Sequence, residues 1–135
     1  MALLTWDASY SVKVAKCDED HKKLFSLLNA LHEAMKVGKG TQILHQVVAD
    51  LANYARLHFA REEALLEMTK YPALAPHRAQ HEEFVRRVAQ FQQDLKTGNT
   101  NQSIAVANFL TDWLVKHIQQ TDVKYSAHLN ANGVS

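Results

Sequence analysis

Between His58 and His81 the sequence reads HFAREEALLEMTKYPALAPHRAQH, with His58 and Glu62 four residues apart and His77 and His81 four apart again. A four-residue step on an α-helix returns to nearly the same face, so each pair aims two ligand-type atoms at one point. Tyr71-Pro72 and Pro76 lie between the pairs, where a helix ends and the chain turns back. The pairs are therefore expected on antiparallel helices that face each other, an arrangement that suits a metal site.

The flanking sequence supplies the other walls. Asp18 is the expected N-cap of a helix carrying His21, Leu24, Leu28, Leu31 and Met35 on one face, stopped by Gly38 and Gly40. Thr41 is expected to cap the next, whose stripe is Leu44, Val48, Leu51, Ala55, His58, Glu62 and Leu65. A third begins at Leu74 or His77 and continues through His81, Phe84, Val88, Phe91 and Leu95 to a stop at Gly98. Asn99, Thr100 and Asn101 form a loop, and a fourth helix carries Ile104, Ala107, Leu110, Leu114, His117 and Thr121. Four amphipathic helices with short connections imply an all-α fold, an up-down-up-down antiparallel four-helix bundle. Residues 1–17, with Trp6, Tyr10, Val12 and Val14 out of helical period, read as an extended N-terminal arm. The bundle is expected over about residues 18–128, with a frayed tail at 129–135, and all of it forms one domain over 1–135.

Each helix carries polar groups on its apolar face: His21, then His58 and Glu62, then His77 and His81, then His117. Burying them unpaired costs on the order of several kcal/mol each, so they need shared partners. Asp122 completes the set if it turns inward. Five positions after His117 it lies about 140° round a regular helix. A one-residue π-bulge reduces that to about 40°, so a π-type turn or kink is expected near residues 117–122. Of the eight histidines, His32, His45 and His128 fall outside the set. His32 is roughly 16 Å along its helix from His21 at the α-helical rise, His45 points away from its stripe, and His128 sits in the tail. Five imidazoles and two carboxylates without sulfur suit an intermediate metal such as iron. Seven ligands exceed one ion's needs, whereas two irons bridged by both carboxylates and a solvent group leave one position open.

Other chemistries fit poorly. His81-Glu82 is followed by Glu83-Phe84-Val85, which lacks the second His of an HExxH zinc site, and no Glu-x-x-His occurs. The single Cys17 excludes an intramolecular disulfide and reads as a small core side chain. With 15 basic and 14 acidic residues and no basic run, nucleic-acid binding is not expected. Without a leader or a spanning apolar run, a cytoplasmic location and no membrane insertion are expected.

The strings CDEDHKKLF, HFAREEALLEMTKYP, HRAQHEEF and WLVKHIQQTD together resemble the hemerythrin family in its single-domain bacterial form, from Trp6 to about Tyr125. The resemblance implies that His77, His81 and His117 hold one iron, His21 and His58 the other, and that Glu62, Asp122 and an oxo/hydroxo group bridge them. It further implies reversible dioxygen binding at the iron beside His21 and His58. The carrier would serve oxygen transport, storage or delivery to an oxygen-consuming enzyme, and would work as a monomer rather than as an enzyme. The other readings are an oxygen or redox sensor, and a di-iron oxidase, peroxidase or nitric oxide scavenger. Leu24, Phe59, Trp113, Leu114 and Ile118 are expected to line a dry oxygen pocket, Leu114 as its gate, with Asp18 and Tyr125 supporting the ligands from behind. Leu66 stands where the family often has Met, and Cys17 where an aliphatic residue is common.

Overall fold

The structure, a computed structural model, describes residues 4–98 and 102–135. Its long helices are α1 (Ala15–Lys36), α2 (Gly40–Met68), α3 (Leu74–Lys96) and α4 (Ser103–Gln120), followed by a 3-10 turn at Asp122–Tyr125 and a short α5 (Ser126–Ala131). They form an antiparallel bundle in which α1 packs on α2 and α4, and α2 on α3. Most of the predicted stripe residues meet inside it, with Leu24, Leu28, Leu44, Leu51, Phe84, Val88, Leu110 and Leu114 all buried, whereas Ile104, at the head of the fourth stripe, is 68% exposed. The expected loop residues Asn99, Thr100 and Asn101, and the first three residues of the arm, lie outside the described residues.

The first helix starts earlier than expected. Val14 is its N-cap, in extended conformation and without a side-chain capping bond, and Asp18 lies in the first turn. The Asp18 carboxylate instead takes the Val12 N–H at 2.8 Å and the Ser11 hydroxyl at 2.7 Å, so it fastens the arm to α1. The arm is not wholly extended, because Ala8–Tyr10 form a 3-10 turn that Asp7 caps. Its apolar residues dock on the bundle, with Val12 and Val14 buried and Tyr10 edge-on to Phe25 at 4.8 Å. The second helix starts at Gly40 rather than behind a Thr41 cap. A Cβ at Gly40 would lie 2.7 Å from Met35 Cγ and 3.1 Å from Ser103 Oγ, so the absence of a side chain lets the start of α2 approach α1 and α4.

Three helices end in the same way. At α1, Lys39 N–H bonds Ala34 O and Gly38 N–H bonds Met35 O, with Gly38 at φ +74°. This six-to-one and five-to-two pair is the Schellman arrangement, which turns the chain sharply and satisfies end carbonyls. It recurs after α2, where Tyr71 N–H reaches Leu66 O and Lys70 N–H reaches Glu67 O, but there the left-handed residue is Lys70 at φ +57°. It recurs again after α5 through Val134 to Leu129 and Gly133 to Asn130, with Gly133 at φ +82°. The tail expected to fray is thus structured: Leu129 is buried, and Asn130 bonds Lys13 O of the arm at 3.0 Å.

Two stability changes follow from these ends. Lys70→Gly removes the cost of a side chain in the left-handed region and should raise the unfolding free energy by about 0.5–1 kcal/mol. Leu129→Ala opens a gap under α5 and should lower it by about 2–4 kcal/mol. Urea unfolding followed by circular dichroism measures both, and a Leu129→Ala midpoint equal to that of the parent would mean that the tail contributes nothing.

Candidate metal centre

Each long helix delivers inward polar residues at one level of the bundle. His21 comes from α1, His58 and Glu62 from α2, His77 and His81 from α3, and His117 from α4; all are buried. Asp122 joins them by a route other than a π-bulge. The α-helix stops at Gln120, Thr121 breaks the path at φ −111° and ψ −58°, and Asp122 opens a 3-10 turn with no exposed surface. The expected kink is present, as a tightened turn rather than a widened one.

The donor atoms gather into two overlapping groups. Glu62, His77, His81, His117 and Asp122 form one, and His21, His58, Glu62 and Asp122 the other, each with its donor atoms within 4.8 Å of one another. Glu62 and Asp122 belong to both. His77 Nε2 lies 2.7 Å from Glu62 Oε1 and 3.1 Å from Asp122 Oδ1, while His117 Nε2 lies 2.8 Å from the same Asp122 oxygen. On the other side, His58 Nε2 is 3.2 Å from Glu62 Oε2, His21 Nε2 is 3.1 Å from Asp122 Oδ2, and the two Nε2 atoms face each other at 3.0 Å. His32, His45 and His128 are in neither group; His128 instead donates to Thr69 O at 2.8 Å.

Several of these short separations are not hydrogen bonds in direction. Among the described residues His81 Nε2, His117 Nε2 and both Asp122 oxygens have no hydrogen-bond partner, although His81 Nε2 lies 3.0 Å from Glu62 Oε1 and His117 Nε2 2.8 Å from Asp122 Oδ1. Buried polar atoms without partners cost free energy. The disagreement between distance and direction is what lone pairs aimed at a common point produce, and that donor set fits metal ions.

Three of the outer ring nitrogens are tied down. His58 Nδ1 donates to Asp20 Oδ2 at 2.9 Å, His81 Nδ1 to Glu63 Oε2 at 2.8 Å, and His117 Nδ1 to Gln80 Oε1 at 2.7 Å. With Nδ1 holding the hydrogen, a neutral ring presents its Nε2 lone pair inward. None of the three acceptors is visible as a site residue in the sequence. Their only signal is adjacency: Asp20 precedes His21, Glu63 follows Glu62, and Gln80 precedes His81. Asp18, expected in this supporting role, fastens the arm instead. Tyr125 donates to Glu62 Oε2 at 2.7 Å from a fully buried position.

The expected apolar lining divides. Leu24, Leu114 and Ile118 are buried, one helical turn or one residue from ligand-type histidines. Phe59 and Trp113 lie against the three-imidazole group. Phe59 stacks on His81 with centroids 3.9 Å apart, and half-buried Trp113 stacks on His117 at 4.1 Å.

Without a metal, protons must compensate the cluster. Burial opposes charge on His58, but Glu62 and Asp20 outweigh it and push its pKa up to about 10. His77, likewise buried yet bonded to Asp122 and Glu62, rises to about 9. Burial also works against the Asp20 carboxylate, yet His58 and Arg61 bring it down to about 2. Groups raised in the fold stabilise it fully below their unfolded value, about 6.5 for His, and lose that effect as pH rises through the folded value. Asp20 contributes fully above about 4 and loses its effect as pH falls toward 2. The chelator-treated protein should therefore be most stable between about pH 4 and 6.5, with a melting temperature that falls from pH 6.5 to 9.5. A melting temperature that rises across that interval contradicts the assignment.

Comparison with known proteins agrees with this geometry. The family description "Hemerythrin HHE cation binding domain" matches residues 12–129. Bacteriohemerythrin of Methylococcus capsulatus is 33% identical over 132 residues, covering 97% of this chain and 100% of the relative. That of Stenotrophomonas maltophilia is 33% identical over 134 residues, covering 96% and 86% respectively. Myohemerythrin-1 of Phascolopsis gouldii is 29% identical and covers 92% of each chain. A wild-type hemerythrin crystal structure superposes with a TM-score of 0.83 at 29% identity, covering 95% of this chain and 98% of the other. With the family description spanning most of its length and relatives matching it nearly end to end, the chain belongs to the hemerythrin family.

Proposed function

We propose that this protein holds two iron ions and binds dioxygen reversibly as a carrier or store. The observation that carries the reading is the sharing of Glu62 and Asp122 between two buried donor groups. In this assignment His77, His81 and His117 hold one ion, His21 and His58 the other, and the two carboxylates bridge. The first group then offers five protein donors and the second four, so the second keeps more room for an outside ligand. The names of the relatives and the family's cation-binding description support the same reading.

A di-iron pair supplies a two-electron exchange with dioxygen that can run in both directions. The chain's own residues determine whether it does. Tyr125 fixes one oxygen of Glu62, so the bridging carboxylate keeps its orientation when the outside ligand changes. Leu24, Leu114 and Ile118 present only hydrocarbon, and we assign them to the pocket lining, with Leu114 as its gate. A dry lining of that kind denies a departing anion the water that would stabilise it, which favours return of the ligand as neutral dioxygen. Phe59 and Trp113 contribute on the other side by covering His81 and His117.

The iron(II)-loaded protein, prepared without oxygen, should take up two metal ions per chain and develop a visible ligand-to-metal charge-transfer band in air. Purging with argon should remove the band over repeated cycles. A one-way change to the spectrum of the diferric protein would replace the carrier reading with one of turnover or redox sensing.

A further inference from the structure

The acceptors behind the three tied imidazoles differ in charge and in what holds them. Gln80, behind His117, is neutral and shared with the Thr121 hydroxyl at 3.1 Å. Glu63, behind His81, is anionic, with its side chain 21% exposed and Arg78 Nε at 2.8 Å. Asp20, behind His58, is anionic and only 1% exposed. Its Oδ2 takes His58 Nδ1–H and the Arg61 guanidinium, and its Oδ1 takes the Tyr54 hydroxyl at 3.3 Å. Lys16 Nζ approaches the same carboxylate at 3.9 Å. Asp20 belongs to neither donor group, so its charge acts on the site through His58. His21, the other imidazole on that side, has an Nδ1 with no partner among the described residues. The leverage of outer hydrogen bonding on the two-imidazole side is therefore concentrated in one buried carboxylate.

We infer that Asp20 and Arg61 form a charge-balanced positioning pair that sets the electron-donating strength of His58, and through it the affinity and reduction potential of one of the two metals. The inference rests on the di-iron reading proposed above. A carboxylate accepting the Nδ1–H draws that hydrogen toward itself and leaves the ring more electron-rich, which strengthens donation from Nε2 and favours the more highly charged metal. Arg61 moderates the effect by competing for the same oxygen of Asp20. Its side chain is 39% exposed, so it can be replaced without opening the core.

The two members of the pair therefore act in opposite directions. Asp20→Asn keeps a hydrogen-bond acceptor of the same shape and removes only the charge. It should weaken one of the two metal-binding steps about 10- to 100-fold and leave the other unchanged. It should also raise the midpoint potential of the iron-loaded protein. Arg61→Gln leaves Asp20 uncompensated and should lower that potential. A tenfold change in a one-electron equilibrium corresponds to about 59 mV, well within reach of a redox titration followed by visible absorption. A residue that merely holds the fold together would not produce shifts of opposite sign.

The test is cobalt(II) titration of the metal-free protein by calorimetry, followed by redox titration of the iron-loaded parent and of both variants. Uptake of two ions by the parent, selective weakening in Asp20→Asn and opposite potential shifts in the two variants support the inference. Uptake of two ions by the parent with unchanged affinity and potential in Asp20→Asn, or with both potentials moving the same way, overturns it while leaving the di-iron reading intact. Uptake of fewer than two ions by the parent removes the di-iron reading, and this inference falls with it. If Asp20→Asn does not fold, Arg61→Gln decides alone: a lowered potential supports the pair, and an unchanged or raised one overturns it.

Discussion

Glu62 has no exposed surface and lies within about one hydrogen-bond length of imidazoles from α2 and α3, with the Tyr125 hydroxyl on its second oxygen. Asp122, equally buried, faces His21, His77 and His117. Two carboxylates in the middle of a bundle would each cost several kcal/mol if left uncompensated, on the order expected for a desolvated ion. Every helix must therefore arrive at the level of these two residues with a compensating group, and that fixes rotation and axial register far more tightly than leucine packing could. A helix rotated by one residue, about 100°, would still bury hydrocarbon but would strand the charge.

The supporting hydrogen bonds extend this constraint round the bundle in chain order. Asp20 of α1 backs His58 of α2, Glu63 of α2 backs His81 of α3, and Gln80 of α3 backs His117 of α4. Each of the first three helices thus orients an imidazole on its successor, so His58, His81 and His117 are not set by their own helices alone. The turn after α4 closes the circuit, because Tyr125 returns to Glu62 on α2. This makes the C-terminal segment part of the centre's support, and it accounts for the burial of Leu129 and the bond from Asn130 to the arm in what would otherwise be a loose end.

The long helices and the inward polar residues were legible because they violate a simple rule: imidazoles and a carboxylate stand at apolar positions of a period that is otherwise kept. The backing residues were not legible for the complementary reason. Asp20, Glu63 and Gln80 sit one residue from an inward position, on the flank where a polar side chain is ordinary, and only the rotation of the neighbouring helix decides what they meet. For Asp122 the period showed only that a regular helix fails; a widened and a tightened turn both answer that failure, and the chain takes the tightened one. Asp18 has the chemistry of a helix cap, but the apolar pattern of the arm, with Val12 and Val14 buried, starts the helix before it and leaves its carboxylate to hold the arm. The ordered tail had a readable sign in Leu129 and Val134, the apolar pair that spans Gly133 in a Schellman turn.

The charges that make the centre costly without metal also set the terms on which metal enters. His58 and His77, with pKa values pushed up to about 10 and 9, hold protons that neutralise Glu62 and Asp122 in the metal-free fold. Metal ligation needs those nitrogens unprotonated, so on the proposed reading each ion must displace protons, and affinity must rise with pH over the same range in which the metal-free fold loses stability. The two states therefore share one set of carboxylates and exchange the cation that compensates them. Asp20 couples to both: it stabilises the protonated His58 before loading and strengthens the neutral ring as a donor afterwards. A single outer carboxylate, locked by Arg61, thereby links folding without metal to the behaviour of the centre once it is filled.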